Sequence, residues 1–299
     1  MGLTPFPHGI SSFGTPIYGS FSAESRGAAG GNSFFVDCNT GLDGNDGKTW
    51  DTAFKTIVYA IAACQADITD KSQKYWARRN TIYIAGDAFE ENIVLLPEKT
   101  DIVGMGQCDG NTQSRIKGNH VPATRISSGC RFFNTAFTAA TGVIWTLTGN
   151  QPSMAFYGCE FLAGASTTIG VLATGTPMLR LSGCDFKGFW DSNFSTTAID
   201  IATGLANGQV IEYCNIENRG GIGVRVAATK AGVGCYARFN NFDTSGCTMI
   251  DSSNTFNTFG NNFCSTAANG AASLSVNVLK SCGNWYRDAT KCGNYPVTA

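Results

Sequence analysis

Two acidic residues, Glu160 and Asp185, occupy the same place in a short phrase that recurs along the second half of the chain. If successive phrases stack, the two carboxylates lie about one coil apart. At that separation one could act as general acid and the other as nucleophile in glycoside hydrolysis. Asn215, Asn241 and Asn262 continue the row, and a solvent-facing turn start accepts Asp, Glu and Asn equally well. We favour the turn, and keep Glu160 and Asp185 as the catalytic candidates.

Aromatic residues in the segment after Asp185 form a second group that could bind a ligand. The segment reads FKGFWDSNF from Phe186, and its rings lie outside the alternation expected of a strand. Phe189, Trp190 and Phe194 could stack on the sugar rings of a glycan or fill a contact between subunits. Because such patches on a rod more often form interfaces, we favour the subunit contact.

The recurring phrase also predicts the elements that position these residues. It appears six times, as GCEF, GCDF, YCNI, FNNF, GNNF and, more loosely, CGNW, at steps of 25, 30, 26, 21 and 22 residues. Such a period, in a chain rich in Gly, Asn, Ser and Thr, is typical of a solenoid of stacked coils. Short alternating strands such as the one containing Ile222, Val224 and Val226, with no helical crossovers, favour a parallel β-helix.

Composition bounds the function. Hydrophobic residues make up 43% of the 299-residue chain, enough for a continuous core, and charged residues only 14%. The formal net charge of -1, with no run of Lys or Arg, gives no electrostatic case for binding nucleic acid or an anionic membrane. No apolar window is long enough to span a bilayer. We expect no cofactor.

The twelve cysteines predict a buried ladder and not a disulfide framework. Cys159, Cys184 and Cys214 recur at one place in successive phrases, where a small hydrophobic residue would stack coil upon coil. Neighbouring coils are close enough for some pairs to oxidise if an oxidant reached them, but we favour reduced thiols. Zinc spacing is absent and only two histidines exist, His8 and His120, so we expect no metal.

Three zones divide the chain. Residues 1–32 form an arm in which Pro and Gly are too frequent for a strand or a helix, and which either folds back or, as we favour, docks on a partner. Residues 33–80 form a cap, and residues 81–299 form the coils. In the cap, Asp51 or Thr52 begins a helix that lies over the first coil. Its apolar stripe consists of Phe54, Ile57, Val58, Ile61 and Ala62. A calcium loop starting at Asp43 would place Phe54 where a bidentate acid is required, so the Asp/Gly cluster is a polar turn.

Two stretches resemble known proteins. The opening of right-handed parallel β-helix proteins of the pectate-lyase-like superfamily is similar to FFVDCNTGLDGNDGKTWDTAFKTIVYAIAAC followed by TIYIAGDAFEENIVLLPEKTDIVGMGQ. The amino-terminal segment of β-helix virion proteins of tailed bacteriophages resembles FPHGISSFGTPIYGS. Together these stretches cover about the first 107 residues, and beyond them only the coil pattern matches.

The resemblance implies a fold and a location in a virus particle. The fold is all-β, a right-handed single-stranded parallel β-helix with an N-terminal capping helix and an extended N-terminal arm. The place is a virus particle, where a homotrimer docks on the major capsid protein or on tail proteins. The residues expected to dock are Phe6, Pro7, His8, Gly9, Ile10, Phe13 and Gly14.

Two functions therefore stand. The first is a non-enzymatic virion structural protein (capsid decoration, head fibre or spike) held by its arm. It would be made and assembled in the host cytoplasm, since the N-terminus has neither a basic nor an apolar segment. The alternative is a tailspike-type depolymerase that cleaves host surface polysaccharide with Glu160 and Asp185. The superfamily's catalytic phrases do not appear in order, and Glu90-Glu91 is interpreted as a solvated turn, so we favour the first. A cellular carbohydrate-binding β-helix is disfavoured by the missing secretion signal.

Overall fold

Stacked short strands and one helix make up the part of the chain that the structure describes. The computed structural model describes residues 10–12, 15–18, 31–70, 79–86, 89–106, 114–123, 128–149, 153–175, 178–188, 192–203, 209–218, 222–226, 235–242, 248–251, 258–260, 263–264, 274–275, 280–282, 285–287 and 292–294. The helix is α1 (Ile57–Asp70). The strands are, in chain order, β1 (Ile10–Ser12), β2 (Thr15–Tyr18), β3 (Ser33–Asp37), β4 (Asn80–Ala85), β5 (Phe89–Glu90), β6 (Thr100–Gly104), β7 (Ser114–Lys117), β8 (Ser128–Phe133), β9 (Thr135–Gly149), β10 (Ser153–Tyr157), β11 (Glu160–Gly175), β12 (Leu179–Ser182), β13 (Asp185–Gly188), β14 (Thr197–Thr203), β15 (Gln209–Glu212), β16 (Asn215–Ile216), β17 (Ile222–Val226), β18 (Cys235–Arg238), β19 (Asn241–Phe242), β20 (Thr248–Asp251), β21 (Thr258–Gly260), β22 (Phe263–Cys264), β23 (Leu274–Ser275), β24 (Lys280–Cys282), β25 (Trp285–Arg287) and β26 (Cys292–Asn294).

These strands form a three-sided parallel β-helix, which confirms the predicted all-β fold. The first face is a ten-stranded parallel sheet in the order β3-β4-β6-β8-β10-β12-β15-β18-β21-β24. The other two faces share the long strands β9 and β11. The first part of β11 pairs with β13, which lies on the second face, and its later part pairs with β14, on the third face. Its register against β9 shifts between Ala163 and Ser166, at the corner between the two faces.

Inward-facing aromatic rings fill the middle of the solenoid. Phe161 and Phe186, at equivalent positions of adjacent coils, stack with centroids 4.4 Å apart and 3° between their planes. Phe137 stacks on the other side of Phe161 at 5.5 Å, and Trp145 packs edge-on to Phe137. All four side chains are fully buried. The period of the phrase therefore reflects one large buried hydrophobic side chain per coil, usually Phe and, in the coil after Phe186, Ile216.

Buried cysteines form the ladder that the phrase predicted. Cys159, Cys184 and Cys214 are each no more than 1% exposed, and they are among the seven cysteines without a disulfide in the part of the chain whose side chains are described. Asn240 takes the equivalent place in the next coil. Its Nδ2 donates to the carbonyl of Ile211 (3.1 Å), and its Oδ1 accepts from the N–H of Cys214 (2.9 Å). Burial raises the pKa of the Cys214 thiol, which disfavours the reactive thiolate.

The capping helix lies on the first coil but begins later than predicted. It starts at Ile57 and not just after Thr52, and Val58, assigned above to the apolar stripe, is 38% exposed. Ala62, also assigned to the stripe, is exposed too. The buried face follows the spacing of the helix that actually forms and consists of Ile57, Ala60, Ile61, Cys64 and Ile68.

Two carboxylates cap this helix, one from the turn before it and one from the next coil. Asp43 accepts hydrogen bonds from the N–H groups of Lys55 (3.0 Å) and Thr56 (2.9 Å). Glu91 accepts from the N–H groups of Ile57 (3.0 Å) and Val58 (2.9 Å). The expectation that Glu91 belongs to a solvated turn is therefore wrong, because it satisfies the helix N-terminus, where a negative charge is also favourable.

The arm contains strands, contrary to the expectation from its Pro and Gly content. β1 pairs with β2 in an antiparallel hairpin. Ile10 lies in β1, and the other residues predicted to dock, Phe6, Pro7, His8, Gly9, Phe13 and Gly14, lie outside the described residues. The prediction of docking is untested by this fold.

A turn position next to the first face has left-handed backbone in five successive coils, directly after strands β8, β10, β12, β15 and β18. It is filled by Asn134 (φ 51°), Gly158 (φ 56°), Gly183 (φ 63°), Tyr213 (φ 55°) and Phe239 (φ 57°). Gly158 has nothing within 4 Å of where a Cβ would stand, so only conformational strain would oppose a side chain there.

We expect Gly158→Ala to lower the free energy of unfolding by about 1–2 kcal/mol, because left-handed backbone is costly for a residue with a Cβ. Urea denaturation measures the change. Gly44→Ala is the matched control, since Gly44 also has open space but no positive φ. It should be neutral or slightly stabilising. Equal losses in the two variants would contradict this explanation.

Candidate functional site

The two predicted acids lie side by side on the second face. Glu160 is in direct register with Asp185, and Asp185 with Asn215, so the predicted row exists. Asn241 is opposite Phe263 and not Asn262, which lies outside the described residues. The row of polar side chains therefore ends at Asn241.

Glu160 is not a solvent-facing turn residue, and that part of the prediction is wrong. It is the first residue of β11 and is 1% exposed. Its Oε1 accepts a hydrogen bond from Nζ of Lys187 at 3.0 Å, so the carboxylate is ion-paired with a residue of the next coil.

Asp185 lies partly buried among other carboxylates. Burial raises its pKa, as do the nearby carboxylates of Glu160 and Glu217, while the ammonium of Lys187 acts in the opposite direction. Asp185 could therefore hold a proton at a higher pH than an ordinary aspartate. The recess described below lies on the first face, away from this row.

Within the aromatic segment after Asp185, Phe194 belongs to the core. Phe194 is 1% exposed, and its ring centroid lies 6.3 Å from that of Phe186. Its predicted role in a subunit or glycan contact is therefore wrong, because the ring is inside the solenoid. Phe189 and Trp190 lie outside the described residues.

Sequence reasoning missed a set of carboxylates at outward-facing positions of the coils that arginine side chains cover. Asp101, Asp200 and Glu212 are each no more than 3% exposed, and each pairs with arginine. Nε and Nη2 of Arg225 donate to Asp200. The only signal in the sequence is an acid and an arginine about one coil apart, and coil lengths are too variable for that spacing to be recognised in advance.

Asp101 and Glu212 are each held by two arginines on the first face. Arg131 binds Asp101 through two parallel hydrogen bonds of 2.7 Å, and Arg79 donates to the same carboxylate at 2.8 Å. Arg180 and Arg238 both donate to Glu212.

The electrostatics of Glu212 follow from these contacts. Burial alone would raise the pKa of Glu212, but the hydrogen bonds and charges of Arg180 and Arg238 outweigh it and lower the pKa below its usual value. The carboxylate is therefore fixed in its charged form at neutral pH.

A recess of about 330 Å³ opens on the first face between these two clusters. Strands β8, β10 and β12 form its floor, where Arg131, Ala155 and Arg180 stand in register on successive strands. Its walls include Arg79, Tyr157 and Met178. The recess therefore combines guanidinium groups with apolar and aromatic surface, which is the composition of a small binding site.

The described residues offer neither a cluster of metal ligands nor a membrane-spanning helix. No three His, Cys, Asp or Glu side chains in those ranges converge as metal ligands would. The helical structure in the same ranges includes nothing with the length and hydropathy that spanning a bilayer requires.

Comparison of the chain with protein-family models, with curated proteins and with solved structures gives no match. The parallel β-helix, the paired acids and the arginine-lined recess are therefore established by the chain's own register and contacts.

Proposed function

We propose that this protein is a non-enzymatic structural component of a virus particle, a β-helical rod held to the particle by its N-terminal arm. The ten strands of the first face correspond to a rod about 43 Å long at the usual strand spacing. The resemblance of the arm to phage virion proteins supports the proposal that the chain belongs to a virus particle. The same resemblance supports a homotrimer that docks on capsid or tail proteins.

The burial and ion pairing of Glu160 favour a structural function over a catalytic one. A retaining glycosidase needs one carboxylate free to attack the sugar and a second to donate a proton, both facing the substrate. Glu160 is 1% exposed and its carboxylate is bound to Lys187. Attack by Glu160 would require breaking this ion pair and moving the side chain out of the sheet, which favours a structural role for the row.

Deletion of residues 1–20 is the test of this function. We expect the shortened chain to keep its far-ultraviolet circular dichroism and melting temperature, because the cap and the coils are retained, but to be absent from purified particles. Immunogold labelling and mass spectrometry of those particles measure the incorporation. Light scattering of the purified chain measures whether three chains associate.

The double variant Glu160→Gln, Asp185→Asn is the matched control. It should be incorporated normally and leave the clearing of host glycan by particles unchanged, with its melting temperature recorded to recognise unfolding. Incorporation of the shortened chain, or no label on particles, would overturn the proposal. Loss of glycan clearing by a folded double variant would instead identify a depolymerase.

A further inference from the structure

The recess on the first face has an excess of positive charge. Three of its lining residues are arginines, Arg79, Arg131 and Arg180, and no carboxylate lines it. With Arg238, four arginines share the carboxylates of Asp101 and Glu212. Four cations therefore face two anions, a local surplus of two positive charges.

This surplus is partly desolvated. Arg79 and Arg131 have side chains only 21% and 25% exposed, so water screens them less than it does surface arginines. Burial lowers the pKa of Arg79, and the charge of Arg131 lowers it further, against the opposing effect of Asp101. The cluster would be stabilised by one more negative charge.

The space for that charge is created by Ala155. It stands between Arg131 and Arg180 in register, and its methyl group leaves open the place that a longer side chain would fill. The two arginines are two strand spacings apart, about 9.6 Å along the rod. A compact molecule can enter between them.

Both arginines have donors left for a ligand. Arg131 donates to Asp101 from Nε and from one hydrogen of Nη2, which leaves Nη1 and the second hydrogen of Nη2. Arg180 is 47% exposed and uses Nη2 on Glu212. Arg180 can also turn away without stranding a buried charge, because Arg238 still pairs with Glu212 at 3.0 Å.

We propose that the recess is a binding site for an oxyanion (a carboxylate, phosphate or sulfate group) carried on a compact organic body. Arg131 and Arg180 bind the anionic group, since a guanidinium matches such oxygens with paired hydrogen bonds. Tyr157, Met178 and Val210 contact the body of the ligand. This site does not depend on the structural function proposed above, because it lies on the first face and involves neither the arm nor Glu160.

Calorimetric titration of the full chain tests the site with three probes of similar size: gluconate, glucose 6-phosphate and glucose. We expect one or both anions to bind with one site per chain and glucose not to bind. Comparison of the two anions identifies the preferred group, carboxylate or phosphate. Failure of both anions to bind at up to about 10 mM, or equal binding of glucose, would overturn the proposal.

Two variants locate the binding. Arg180→Met should weaken it about tenfold to a hundredfold, the effect of losing charge-assisted hydrogen bonds, and Ala155→Leu should abolish it by filling the recess without changing any charge. Lys117→Met is the control, since it removes one positive charge from an exposed pair on the second face. If Lys117→Met weakens anion binding as much as Arg180→Met does, the anion is attracted by the overall charge of the chain and not by the recess. If Ala155→Leu leaves anion binding unchanged, the anion binds at a different site. Either result contradicts the proposal.

Discussion

Acidification from pH 7 to pH 4 is expected to remove about 3 kcal/mol of folding free energy through one side chain, His120. The side chain is 0% exposed, and burial lowers its pKa from 6.5 to about 3. Nδ1 accepts the N–H of Ile93 at 3.1 Å, so the folded imidazole is neutral with its proton on Nε2. The rings of Trp145 and Phe137 lie 4.5 and 5.7 Å away, centroid to centroid. An imidazolium would be buried against two aromatic rings and away from water.

The direction of the pH dependence follows from the difference in proton binding between the folded and unfolded chains. Between pH 6.5 and about pH 3 the unfolded chain binds a proton at His120 and the folded chain does not. Stability therefore falls as the pH falls through this window, and is fully present above pH 6.5. Urea denaturation at a series of pH values measures the slope.

His120→Gln separates this residue from other titrating groups. The Gln side chain has an oxygen that can accept the Ile93 N–H but has no proton to gain in this range. The variant should be less stable at pH 7 and should have a shallower dependence on pH, and the difference between the two curves is the contribution of His120. Parallel curves for the variant and the unchanged chain would contradict the prediction.

The repeat made much of this fold predictable, because the fourth residue of a phrase is an inward Phe or Ile and the second an inward Cys or Asn in the coils whose side chains are described. Phe161, Phe186 and Cys184 could be placed in the core from spacing alone, and the register of Glu160 with Asp185 follows from the same alignment. Pairings that depend on the exact length of the turns between strands could not be predicted from the alignment of phrases. The phrase aligned Asn262 with Asn241, whereas a step of 22 residues from β19 to β22 puts Phe263 there.

The surface clusters were unpredictable for a further reason. Which acid meets which arginine depends on side chains that reach across neighbouring coils, as Arg180 and Arg238 reach Glu212 from the coils on either side. Capping of α1 by Glu91 likewise joins residues 34 positions apart. The pattern of residue types along the chain predicts which side of a strand faces inward. It does not predict which ion-pair partners the outward-facing charged side chains have.

Replacing Asp101 by Asn is expected to lower the free energy of unfolding by about 3–5 kcal/mol, because it removes the anion from a buried ion-pair cluster and leaves two cations behind. The carboxylate is 3% exposed and accepts hydrogen bonds from both Arg79 and Arg131. Asn keeps the shape of the side chain, so a loss of this size would come from charge and hydrogen bonding and not from a cavity. The midpoint of urea denaturation, with an unchanged slope, is the measurement.

Glu90→Gln is the control for Asp101→Asn, since it makes the same chemical change in an exposed pair. Glu90 lies 2.6 Å from Nζ of Lys117, a shorter contact than either arginine makes with Asp101, yet its side chain is 72% exposed. Water solvates both partners when this pair is lost, so the midpoint should not change measurably. If distance decided the strength of these ion pairs, Glu90→Gln would be the more harmful substitution. If burial decides it, only the loss of Asp101 will lower the midpoint, because Arg79 and Arg131 then remain partly desolvated with no anion between them.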